Sequence, residues 1–164
     1  MTTLQELMLV YQQEMKKGAI QQAYRGLMEY LLSLKNHFQT RHPEFSVPGT
    51  FYAGYMDMSY FAIVPEDLKQ RGLKIALVYL HETGRFEVWL AGVNKSAQRE
   101  YWEIIRRAGW NKYRLVPELA DADAVLEHSV SARPDFSDLD ALTEEIEKET
   151  LAFIGDVRAF LAGV

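Results

Sequence analysis

Two strand-like runs, Leu73 to His81 and Arg85 to Ala91, stand only Glu82-Thr83-Gly84 apart. Parallel strands need a crossover of a dozen or more residues, so runs this close must pair as an antiparallel hairpin. That requirement sets the fold class as α+β, built on an antiparallel sheet with a central hairpin. If Thr83-Gly84 forms a two-residue turn, Glu82 pairs with Arg85, Leu80 with Glu87 and Val78 with Trp89. The other face carries Ile75, Leu77, Tyr79 and His81 against Phe86, Val88 and Leu90. It is almost wholly apolar and is predicted to meet the core helices.

Upstream, Leu4, Leu7, Met8, Tyr11 and Met15 form one helical stripe over Thr3 to Met15. A second, Ile20, Tyr24, Leu27, Leu31, Leu34 and Phe38, runs from Ala19 to Arg41. Extended backward, the second stripe lands on Lys17, Gln13, Val10 and Glu6. Lys16-Lys17-Gly18 is therefore a break, with Gly18 closing the first helix. Phe45 to Gly54, with Pro48 and Gly49, reads as a loop. Tyr55 to Val64 reads as a strand with Tyr55, Asp57, Ser59, Phe61 and Ile63 on one face. Pro65 opens a short helix stopped by Gly72. Asn94 caps a helix ended by Gly109. Lys112 to Val116 and Ala124 to Val130 are weaker strands. Ser137 with Asp140 opens a last helix, whose stripe is Leu139, Leu142, Ile146, Thr150, Phe153, Val157 and Phe160. Long N- and C-terminal helices thus pack the sheet in a single domain, residues 1–164.

At 164 residues, with 48% hydrophobic and 25% charged, such a chain buries roughly 70% of its unfolded surface and needs no staple. Cys is absent, which removes disulfides, thiolate metal sites and thiol nucleophiles, and fits a reducing, cytoplasmic setting. Met1 to Val10 lacks a basic leader region, and the longest strongly apolar run, Ile75 to Leu80, is far too short for a bilayer, so no membrane association is expected. The net charge of −5 argues against a generally basic nucleic-acid binder. Charge is nevertheless segregated. Residues 95–116 hold six basic and two acidic side chains, and residues 117–149 hold two basic and eleven acidic. The two segments are either solvated faces or mutually complementary.

The stretch Gly54-Tyr-Met-Asp-Met-Ser-Tyr-Phe61, with Leu73 to His81 and Arg85 to Lys95, resembles a family of small uncharacterised bacterial and archaeal proteins classed only as a domain of unknown function. The resemblance spans nearly the whole chain and implies a coherent fold, with no activity, cofactor or catalytic residue attached. The element order is more loosely similar to type III secretion chaperones and to accessory domains of DNA-processing systems.

Asp57 is the first candidate site residue, an acid between Met56 and Met58 in an aromatic strand. Tyr55 and Ser59 share its expected face, and with Tyr52, Glu87 and Trp89 they outline a small-molecule or hydrolytic pocket. The alternative for each is a structural hydrogen bond. Asp57 or Asp67 ahead of Glu87 also suggests a metal-dependent nuclease, but Glu87-Val88-Trp89 lacks the required Lys, with Lys95 beyond the strand. His37, His42, His81 and His128 show no ligand spacing, so no metal site is expected. Arg99, Arg106, Arg107, Lys112 and Arg114, interleaved with Trp102, Trp110 and Tyr113, are the nucleic-acid candidates. No catalytic constellation is complete. The leading expectation is a cytoplasmic binding domain acting through a protein partner or as a homodimer, without catalysis or cofactor. The dimer is expected because the hairpin's mixed face, with Val78 and Trp89, needs cover that a domain this size is not expected to supply in full.

Overall fold

The computed structural model describes residues 1–164, which form two compact units, 1–34 and 35–164. The first unit holds helix α1 (Leu4–Lys17) and the start of helix α2 (Ala19–Arg41). Thr3 and Glu6 make a reciprocal capping box, and Gly18 closes α1 at φ +79°, which places the break where the two stripes fail to join. No residue of α1 is buried, although it carries Leu4, Leu7, Met8, Leu9, Val10 and Tyr11. The α2 stripe is wet at one end and dry at the other: Ile20 and Tyr24 are exposed, while Leu31, Leu34 and Phe38 are buried.

The second unit is built on an antiparallel sheet of β1 (Met58–Ile63), β2 (Leu73–Leu80), β3 (Arg85–Gly92), β4 (Arg114–Leu115) and β5 (Leu126–Ser131). The strand order is β1-β2-β3-β5-β4. Helices α3 (Glu66–Gln70), α4 (Lys95–Ala108) and α5 (Leu139–Ala162) complete it. The class is α+β, as the hairpin requires. The side chain of Asn94 caps α4 by accepting from the Ala97 N–H at 2.8 Å. The cap of α5 falls one residue later than expected: Asp138 accepts from the Ala141 N–H, while Ser137 is held by Asp135. Leu142, Ile146, Thr150, Phe153 and Val157 are buried along α5, which packs on β5 and β3.

The hairpin differs from expectation in register. Leu80 faces Arg85, Val78 faces Glu87 and Ala76 faces Trp89, because the connection is the four-residue loop 81–84 and not a two-residue turn. Gly84 sits at φ +67° and donates its N–H back to Leu80 at 2.8 Å, which closes that loop. The slip is by two residues, so each side chain keeps its face. Ile75, Leu77, Phe86, Val88 and Leu90 are fully buried on one side. The mixed side is covered too: Ala76, Val78, Trp89 and Ala124 form a second buried cluster with Met58, Tyr60 and Leu80 against it. Val78 and Trp89 are therefore already buried within the chain. No helix is long and apolar enough to cross a membrane.

Candidate functional site

The free edge of β1 is partly closed by the segment before it, in two bridges. Ser46 exchanges both backbone hydrogen bonds with Val64 (3.0 and 2.7 Å), and Tyr52 does so with Tyr60 (3.0 and 2.9 Å). Between the bridges lie residues 61–63 on the strand and 47–51 on the loop, so the loop has two residues too many and must arch away. The arch contains Pro48 and Gly49. It is tied down by Lys35 Nζ on the Gly49 carbonyl at 2.8 Å and by Gln39 Nε2 on the Val47 carbonyl at 3.0 Å. In an antiparallel strand, alternate residues turn their backbone groups to the same side. Ala62 therefore aims its N–H and C=O where Tyr60 and Val64 aim theirs, and no protein group bonds to either.

Beneath the arch is a cavity of about 550 Å³, within the usual range for a small-ligand pocket. Its aromatic wall is Phe51, Tyr52 and Tyr60, the last two with ring centroids 5.0 Å apart. The facing Ala62–Ala76 pair is small, so the Lys74 side chain, paired in register beyond it, reaches over the Tyr60 ring with its ammonium 5.8 Å from the centroid. Lys69 of α3 supplies a second cation, and no carboxylate lines the space. Desolvation, then Asp57, raises the Tyr52 phenol above its ordinary pKa. The cavity thus offers an apolar, aromatic interior, two positive charges and an open main-chain donor–acceptor pair.

The residues singled out from the sequence do not converge on one pocket. Tyr52 lines the cavity. Tyr55 and Asp57 precede β1 and lie in a strained turn. Gly54 stands at φ +81°, where a Cβ would fall 1.9 Å from the Met58 carbonyl oxygen, and Met56 stands at φ +67°. The face count from Tyr55 fails there because positive φ interrupts the strand. Asp57 Oδ1 accepts the Tyr55 N–H at 2.9 Å and pins the turn. The Tyr55 and Met58 backbone N–H groups hold its carboxyl below the usual carboxylate value. Tyr55 is 87% exposed at the tip.

Ser59 is fully buried on the helix-covered face, with its hydroxyl 2.8 Å from His81 Nε2 and 2.5 Å from the Ala53 carbonyl. A carbonyl only accepts, so the hydroxyl proton goes to Ala53, and His81 Nε2 must carry its own proton and donate. Burial lowers the His81 pKa, partly offset by Asp57. The Ser-His-Asp grouping resembles a nucleophilic site, yet its hydroxyl is sealed in and its imidazole acts as donor, not base. Glu87 and Trp89 lie on the opposite face. Glu87 accepts from Trp89 Nε1 (2.9 Å) and pairs with Arg85 (2.7 Å), so it satisfies a buried indole rather than facing Asp57.

The basic segment is engaged within the chain. Arg106 and Arg107 pair with Glu103 at 2.8 and 3.5 Å, Lys112 with Asp156 at 2.9 Å, and Arg114 with Glu127 at 2.5 Å. Trp110 stacks on Phe160 with centroids 4.4 Å apart, and Trp102 donates to the Val116 carbonyl. Arg99 is exposed on α4. Asp67, the other acid of the nuclease reading, pairs with Arg158 at 3.0 Å. His81 follows β2 in the hairpin loop and His128 sits on β5, with β3 between the two strands. Sequence reasoning missed two groups: the cavity lysines, and Glu147, which pairs with both His37 and His42. Those histidines hold the Glu147 carboxyl below its ordinary value, against desolvation acting the other way. No group of three such side chains is arranged to hold a metal ion.

The chain belongs to the family described as a domain of unknown function (DUF7000), whose pattern matches residues 4–161. No curated protein and no solved structure matches it.

Proposed function

We propose that this member of the family is a binding module, with no chemistry of its own, that takes a ligand of apolar body and negative charge into the cavity beneath the 47–51 arch. The observation that carries this reading is the composition of the wall: aromatic rings and two lysines with no carboxylate among them. A charge inside such a space is favoured only if it is negative, and the rings supply contact area at little entropic cost. The absence of catalysis is supported by the sealed Ser59 hydroxyl and by the structural use of Glu87. The test is a fluorescence titration with anilinonaphthalenesulfonate, an aromatic anion. Saturable binding is expected, weakened by about tenfold or more in Lys69→Gln/Lys74→Gln. Binding that is unaltered in that variant, with circular dichroism unchanged, refutes the reading.

Self-association is a second reading, and it rests on a different surface. Helix α1 has no buried residue, with Leu4, Leu7, Met8, Leu9, Val10 and Tyr11 exposed around it, and a helix apolar on most sides needs cover. Residues 1–34 carry Glu6, Glu14 and Glu29 against Lys16, Lys17 and Arg25, so two copies meet there without net repulsion. We propose a homodimer through α1. Light scattering across a dilution series is expected to show a dimer that Leu7→Glu/Tyr11→Glu dissociates; a constant monomer mass rules it out.

A further inference from the structure

We infer that the ligand of the cavity is the carboxyl-terminal end of an extended peptide, one of whose last residues lies against β1 and bonds to Ala62. This rests on the cavity being a binding site and specifies what enters it. Three observations meet at one place. First, the ladder along the outer edge of β1 is closed at Tyr60 and Val64 and open at Ala62 between them, so one donor and one acceptor remain unused in strand geometry. Their complement is a single residue of an antiparallel strand, which presents one C=O and one N–H at the matching spacing. A fatty acid or an aromatic acid lacks that pair.

Second, the two surplus residues of the arch create the room such a residue needs, and the ties from Lys35 and Gln39 hold the arch open without occupying Ala62. Third, the charges are lysines. An ammonium is a point charge that a single carboxylate satisfies, and a phosphate group, which it would meet equally well, lacks a C=O and N–H pair to match the one that Ala62 leaves open. Lys74, stretched across Ala62 and Ala76 toward Tyr60, stands within the same cavity as the open backbone pair. Phe51, Tyr52 and Tyr60 are then left for the side chain of the terminal residue, which is expected to be apolar.

The experiment uses the full chain and hexapeptides ending in Leu or Phe, each with a free carboxylate or a C-terminal amide, read by calorimetry and by displacement of anilinonaphthalenesulfonate. The free acids are expected to displace the dye and to bind about tenfold or more tightly than the amides. Lys74→Gln is expected to abolish that difference. Ala62→Pro removes the free N–H and no bond to β2, since Ala62 forms a non-hydrogen-bonded pair with Ala76, and it should weaken the peptides while sparing the dye. Should Ala62→Pro misfold, N-methylation of the peptide at its last three amides in turn tests the same bond from the ligand side, one position being expected to lose binding. Dye binding without displacement by peptide overturns the inference and leaves the binding module standing. Equal binding of acid and amide, or displacement by decanoate as effective as by peptide, also overturns it. Failure of the dye to bind at the lysines refutes the earlier reading itself.

Discussion

The β2–β3 hairpin and the outer edge of β1 belong to one sheet and obey opposite rules. In the hairpin every position from Leu73↔Gly92 to Leu80↔Arg85 is paired, and both faces are buried, one by Ile75, Leu77, Phe86, Val88 and Leu90 and the other by Val78 and Trp89. At the β1 edge the ladder is interrupted at Ala62, the preceding turn holds Met56 at positive φ, and Tyr55 and Met56 point into solvent. A fully satisfied region has stability but nothing left to recognise. Unused backbone groups, aromatic walls and cations collect where pairing is incomplete, and the rigid hairpin behind them holds that edge in place.

The largest losses are expected on the satisfied side. Leu77→Ala or Leu90→Ala removes a fully buried side chain from a core face backed by helices. A loss of roughly 2 to 5 kcal/mol in denaturant unfolding is expected. A loss below about 1 kcal/mol would mean that the hairpin is not the rigid element.

Gly54→Ala comes next. At φ +81° an added Cβ would meet the backbone carbonyl of Met58 at 1.9 Å, and backbone cannot step aside as a side-chain tip does. Left-handed strain plus that clash is expected to cost about 1 to 3 kcal/mol and to disturb the Tyr52–Tyr60 bridge beside it. Thermal unfolding measures the cost, and dye binding to the cavity is expected to weaken in parallel.

The hairpin was legible from the sequence because alternation is a local, repeated signal, and because the observed two-residue slip preserves parity. Its register was not, since Glu82-Thr83-Gly84 suits both a two-residue turn and a four-residue loop. The helices were legible in their stripes, and Asn94, Gly18 and Gly109 marked their ends. The candidate site was poorly legible. Counting in twos puts Asp57 on the Ser59 face, and the positive φ at Met56 interrupts that count. The cavity arises from a mismatch of two residues between bridges 46–64 and 52–60, a relation between segments that no periodicity records. Glu147 reaches His37 and His42 across 110 and 105 positions of chain, a pairing that only the packing of α5 reveals.

Acid has a smaller effect than these substitutions, and the His81 and Glu147 clusters titrate in the same direction. His81 has a depressed pKa in the fold through burial, so the unfolded chain takes up the proton first as pH falls through about 6.5. Its contribution is full above that value and is lost toward the lower folded pKa. Glu147, held low by His37 and His42, adds stability that is present above its unfolded value near 4.5 and lost as pH falls below it. Denaturant midpoints are expected to fall in two steps on acidification. His81→Gln should remove the upper step and Glu147→Gln the lower; an upper step that persists in His81→Gln would place its origin elsewhere.

Met56→Gly is expected to have the smallest effect, and it decides what the strained turn is for. A non-glycine residue in the left-handed region costs about 1 to 2 kcal/mol relative to glycine, while glycine gives back roughly half to one kcal/mol through the entropy of the unfolded chain. Met56 is 63% exposed, so little packing is lost with its side chain. The balance is a gain of up to about 1.5 kcal/mol, readable as a rise in Tm. If the tip only shapes the β1 edge, this variant should be more stable and should bind the cavity probe as before, because Asp57 still pins the turn through the Tyr55 N–H. If instead stability rises while partner binding falls, the Met56 side chain is itself part of the recognised surface, and the boundary of the open region extends from the cavity out to Tyr55 and Met56.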